Sequence, residues 1–141
     1  MATQGNLETF SFIAGADLSA AQFKAVKVTS SGVVLAGDGE AADGVLQNNP
    51  KSGQSATVAY SGLSKFIAGG NVSIGDFIAS DANGKAKTAV KGRTNTSDAG
   101  SSTDALVGSF VLGKAFSASA ADGTVITVLL HKSGAVPTTA A

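Results

Sequence analysis

The chain has no cysteine, which excludes disulfides, thiol chemistry and thiolate metal sites together. Tryptophan is absent too, and there is one methionine, one tyrosine and one histidine, so the usual material for a thick aromatic core or for proton transfer is scarce. Charge is sparse and balanced. Ten basic side chains offset ten acidic ones, and a net charge of zero offers no overall field to nucleic acid or an anionic membrane. No run approaches the ~18 apolar residues that would suggest a membrane-spanning helix. Met1 to Phe12 lack the charged start and apolar stretch of an export signal. These absences lead to the expectation of a soluble protein made in a cytoplasm.

Small residues are what the chain has in quantity. There are 18 glycines, and much of the 43% hydrophobic share is alanine, a composition suited to closely spaced backbones and many turns. At 141 residues the chain fits one domain with its own core.

Along the chain, β patterns dominate. Leu7 to Ala14 reads as an extended arm or a first strand, with Phe10 and Phe12 on one face of a period-2 pattern. Asp17-Leu18-Ser19 can cap a short helix over Ser19 to Ala25. Ala25 to Thr29 and Val33 to Leu35 pair about a Ser31-Gly32 turn, and Gly44 to Gln47 is a strand. Asn48 to Gly53, with Pro50, turns the chain into two strand-like runs split at Gly62. Val72 to Ser80 is a β segment with a kink at Gly75-Asp76, and Asp81-Ala82-Asn83-Gly84 is a hairpin turn. Residues 91–104 carry no large apolar side chain and read as a long polar loop. Leu106 to Leu112 and Thr124 to Leu130 are the most hydrophobic strands.

The expected fold is mainly β, a small barrel or sandwich with one short helix and an extended N-terminal arm. The division is an arm over 1–16, a β domain over 17–132 that includes the polar loop 91–104, and a flexible tail over 133–141. No repeat of solenoid length is evident. By alternation, Val45, Leu46, Val58, Phe66, Ile74, Phe77, Leu106, Phe110, Val125 and Val128 line the core.

No constellation for bond-making chemistry stands out, so no catalytic, cofactor-binding or metal residue is assigned. His131, the single histidine, has no local carboxylate or nucleophile beside it. Asp38, Glu40 and Asp43 sit in a glycine-containing loop and read as a solvated turn rather than a cation site. Asp81 to Gly92 begins like a calcium loop, but Lys85 occupies a ligand position and Gly92 offers no closing carboxylate. Asn71-Val72-Ser73 and Asn95-Thr96-Ser97 match glycosylation sequons by chance, with no secretory signal to support them. Lys85, Lys87, Lys91 and Arg93 form a short cationic run without interleaved aromatics, which reads as a solvated flank or a contact with an acidic protein surface rather than a nucleic-acid site.

Taken in order, the segments have a likeness. Asp17 to Phe23, Val26 to Val28, Gly44 to Pro50, Gly53 to Val58, Gly62 to Lys65, Ala68 to Gly70, Gly75-Asp76, Asp122-Gly123 and Val125 to His131 resemble a family of bacteriophage capsid cement, or head decoration, proteins. The polar loop 91–104 looks like an insertion relative to that family. The resemblance implies a non-enzymatic structural protein of the virion that binds the outer capsid surface. Its implied partners are the major capsid protein and itself, as a homotrimer at three-fold or quasi-three-fold sites, with no nucleic acid, membrane or cofactor. Phe10, Phe12, Lys91 and Arg93 are the candidate trimer or capsid contacts. The alternative is a virion-surface display domain that binds host glycan or receptor through loop 91–104.

Overall fold

A computed structural model describes residues 5–89, 94–98, 101–105 and 109–135 of the chain. Among them there are strands and turns but no helix. The strands are β1 (Gly5–Ile13), β2 (Ala25–Thr29), β3 (Gly32–Leu35), β4 (Gly44–Leu46), β5 (Ser55–Ile67), β6 (Phe77–Ser80), β7 (Ala86–Thr88), β8 (Thr94–Asp98), β9 (Ser101–Ala105), β10 (Phe110–Ala115) and β11 (Val125–Ala135). Val, Thr, Ile and Ala alternate through most of them, and the Ser31-Gly32 and Asn83-Gly84 turns produce the β2–β3 and β6–β7 hairpins.

The 13-residue strand β5 organises the molecule. Its first half pairs with β1 and β4, and its second half pairs with β11. The order β3-β2-β4-β5-β11-β10-β6-β7 forms one antiparallel sheet. Each end then curls back. Ala14, just after β1, makes a parallel bridge to Val33 of β3, and Ala68, just after β5, makes one to Ala86 of β7. The result is two barrel-like units that share β5.

The two units are built on one plan. A hairpin (β2–β3 or β6–β7) is followed by one strand (β4 or β10) and then another (β5 or β11), and the pairings correspond residue by residue. Ala25↔Val45↔Ala59 in the first unit matches Phe77↔Lys114↔Leu129 in the second. Phe12↔Ala56 and Ile13↔Ser55 match Phe66↔Ile126 and Ile67↔Val125. Closure is the same as well. Ala14 donates its N–H to the Gln54 carbonyl and accepts from Gly53 N–H, at 2.8 and 2.9 Å; Ala68 does likewise with Thr124 and Gly123, both at 2.8 Å. The two donors, Gly53 and Gly123, have φ of 87° and 91°, a conformation that costs glycine little. The sequence carries the trace of this duplication, since Phe-Ile-Ala-Gly occurs at 12–15 and again at 66–69. Its spacing exceeds the usual solenoid period, and the two copies differ in their later segments.

Val26, Val33, Leu46, Ala56 and Val58 fill the first unit together with Ala14, Leu18 and Ala21. Phe66, Ile78, Leu112, Ile126, Val128 and Leu130 fill the second. Ala25, Val45 and Ala59, from the outer face of the first unit, belong to that second cluster, so the units are joined by a continuous apolar contact.

Several expectations require correction. The short helix is absent because its N–H groups are used elsewhere. Leu18 donates to the Pro50 carbonyl at 2.9 Å, Gln22 to Asn49 Oδ1 at 3.2 Å and Phe23 to the Leu46 carbonyl at 2.7 Å. Two i to i+3 bonds remain, and Phe23 has φ of 65°, outside the helical region. Asp17, read as a helix cap, makes a local turn by accepting from Ser19 N–H at 3.0 Å. Gly62 does not split β5, which runs through it. Residues 91–104, read as loop, contribute most of a two-stranded ribbon in which Thr94–Asp98 pairs with Ser101–Ala105.

Val45, Leu46, Val58, Phe66 and Val128 are fully buried as expected. Phe77, Phe110 and Val125 are not: they face outward while Ile78, Val111 and Ile126 beside them face inward. A one-residue slip exchanges the faces of a strand, and a pair of adjacent apolar residues fits either register. Ile74 lies in the turn closed by Asp76 Oδ2 accepting from Ser73 N–H, and is 70% exposed. Leu106 lies outside the described residues.

Candidate protein interface

Of the four candidate contact residues, Lys91 and Arg93 lie outside the described residues. Phe10 and Phe12 lie on β1, a strand built into the first unit, and their side chains share the face of Val58 and Ala56. Phe10 is half-buried against that unit's core and sits 6.0 Å, ring to ring, from Tyr60. Phe12 and Ile13 are exposed, and Tyr60 is 41% exposed. The structure thus separates Phe10, a packing residue, from Phe12, which is free to meet a partner.

The charged residues are mostly committed within the chain. Lys85 pairs with Asp122 at 2.9 Å and Lys87 with Asp38, so two cations of the basic run are neutralised locally. Lys27 pairs with Glu40 at 2.8 Å, and Asp43 Oδ2 accepts from Val28 N–H at 2.8 Å. The Asp38, Glu40 and Asp43 loop is therefore tied to β2 and β7 by its own carboxylates. Bonds from the Lys27 ammonium, then from Gly37 N–H, hold the Glu40 carboxyl below the ordinary carboxylate range. His131 is exposed on β11. Among the described residues no three His, Cys, Asp or Glu side chains converge to hold a metal.

Large apolar side chains are exposed on both units, with Phe12, Ile13 and Tyr60 on the first. On the second unit the exposed set includes three phenylalanines. Phe77 is 55% exposed, Phe116 47%, Phe110 41% and Ile74 70%. Phe77, Lys114 and Leu129 form a cross-strand row over β6, β10 and β11, with Leu129 half-buried. An exposed phenylalanine in such a row is a candidate contact point, since contiguous apolar groups left in water mark contact surfaces more often than scattered ones do. Sequence reasoning missed this surface because Phe77 and Phe110 fit a core pattern equally well. The signal for it was the doubling of apolar residues at 77–78 and 110–112.

No protein-family description matches the chain, and no curated protein matches it. Among solved structures, it is similar to the head fiber gp8.5 N base of bacteriophage phi29, with a TM-score of 0.60 at 16% identity. The fold is shared with a phage head-fibre base. The likeness covers 89% of this chain and 94% of that one, so it extends over both units.

Proposed function

We propose that the chain is a structural protein of a phage virion, bound to the outer capsid surface and stabilising it by bridging capsomers. In this reading it acts as a homotrimer at three-fold or quasi-three-fold sites, with the major capsid protein as its other partner and no catalytic step. The observation that carries the reading is the near end-to-end fold match with a head-fibre base. The ordered segments resembling cement proteins, from Asp17 to His131, agree with it, as do the exposed aromatic side chains of β1, β6 and β10. Weak contacts repeated over three copies sum through high effective concentration, which is how a small neutral domain can hold a shell. Heating purified particles with and without the protein tests the proposal. The genome is expected to be released at a lower temperature from particles that lack it, and equal release temperatures would refute the role.

A second reading, a display domain for host glycan or receptor, is favoured by one observation: among the described residues the β8–β9 ribbon forms a sheet of its own. Under that reading a phage whose protein lacks residues 94–105 adsorbs poorly to its host. Normal adsorption would remove it.

A further inference from the structure

The duplicated plan makes each surface of one unit comparable with its counterpart in the other. In the first unit the row Ala25, Val45 and Ala59 is completely buried, because it packs into the core cluster of the second unit. Its counterpart exposes Phe77 and Lys114 and leaves Leu129 half-buried. The reverse holds for the receiving surface. Phe66 and Leu130 of the second unit lie in the same cluster as the first unit's row, with 0% and 2% exposure. Their counterparts in the first unit are Phe12 and Tyr60, 48% and 41% exposed. Each end of the molecule therefore has the half of the inter-unit contact that the other lacks.

We propose that a second copy of this chain docks head to tail, its Phe12 and Tyr60 surface on the Phe77, Lys114 and Leu129 row. The contact continues the interface that already joins the two units within one chain. Charge supports the same pairing. Lys114, in the row, and Glu8, paired with Ser61 next to Tyr60, are both exposed and have no ion-pair partner among the described residues. Head-to-tail contacts close into a ring when their rotation allows it, and three copies would make the trimer proposed above. The inference rests on that self-association and specifies the surfaces that perform it.

Sedimentation velocity of the full chain tests it, with circular dichroism as the control for folding. Phe77→Glu and Phe12→Glu each place a charge at an exposed position, and each alone is expected to weaken assembly at least ~10-fold, the loss typical of an anchoring aromatic. Mixed in equal amounts, the two variants retain one intact surface each. They should form a heterodimer that cannot close. A mixture that stays monomeric overturns the head-to-tail pairing. Variants that assemble like the parent overturn the choice of surfaces while leaving the virion role to the particle-heating experiment. A parent chain that is monomeric at all concentrations overturns both this proposal and the trimer. If either glutamate variant loses its fold, Phe77→Ser and Phe12→Ser provide the same comparison.

Discussion

Phe66 and Phe12 occupy equivalent places in the two units, yet one is sealed and the other is half in water, so truncating each separates packing from position. Phe66 is 0% exposed and shares a cluster with Ile78, Leu112, Ile126 and Val128. Phe66→Ala removes a buried ring and leaves a cavity among side chains that β pairing prevents from collapsing, at a cost of about 3–5 kcal/mol. Phe12 is 48% exposed, so Phe12→Ala forfeits only about half the transfer energy of a phenylalanine, about 1–1.5 kcal/mol, with little cavity term. A chain of 141 residues has an unfolding entropy of roughly 0.3 kcal/mol per kelvin at its midpoint, so each kcal/mol moves the Tm about 3 °C. The expected shifts are roughly 10–17 °C for Phe66→Ala and below about 5 °C for Phe12→Ala. Thermal and urea unfolding at one fixed protein concentration measures both, since assembly would otherwise add to apparent stability. Equal losses at the two sites would refute the view that the second unit's core is closed by the first.

The other outcomes follow from the ribbon and the carboxylates. Because β8 and β9 pair only with each other among the described residues, replacing residues 94–105 by a short glycine-serine linker should leave the unfolding midpoint of the body within about 2 °C. A larger loss by calorimetry would show that the ribbon braces a unit. Glu40 titrates below its ordinary range because Lys27 and Gly37 bond its charged form. Its contribution is therefore complete above the unfolded-state pKa and is lost as pH falls through the lower folded value. Glu40→Gln should lower the urea midpoint at neutral pH, leave it unchanged at acid pH where Glu40 is already protonated, and so flatten the acid limb. An unaltered acid limb would contradict this.

Hairpins were the most legible part of the fold, since Ser31-Gly32 and Asn83-Gly84 impose turns through backbone chemistry that no distant residue overrides. Faces were harder. Where strands carry paired apolar residues, as at 77–78 and 125–126, only the partner strand decides which one turns inward. The turn at 18–24 deceived in another way. Its residues tolerate helix, but Pro50, Asn49 and Leu46 supply acceptors from elsewhere in the sequence, and local propensity contains no trace of them. The ribbon was illegible because Ser, Thr and Asn alternate with nothing apolar to mark a face. Of the candidate interface, Phe12 could be chosen from sequence alone. The Phe77 row could not, since its exposure is apparent only when the two units are compared.

The internal duplication makes one further comparison possible. Gly44 on β4 and Gly113 on β10 hold the same station, opposite Val26 and Ile78 respectively. A Cβ built on Gly44 would collide with the Ala59 carbonyl oxygen and the Val58 side chain. One built on Gly113 would collide with the Leu129 carbonyl oxygen and the Val128 side chain. In each case the obstacle is ladder backbone, which cannot move aside without breaking the strand pairing that closes the unit. Gly44→Ala and Gly113→Ala should therefore each cost about 1–3 kcal/mol, the range for overpacking a closed site, and the two losses should agree to within about 1 kcal/mol. Chemical denaturation of both variants decides the matter. A large loss at one site beside a negligible loss at the other would mean that the shared hydrogen-bond plan does not impose a shared packing constraint, and the comparison of outer faces that assigns the docking surfaces would lose its footing.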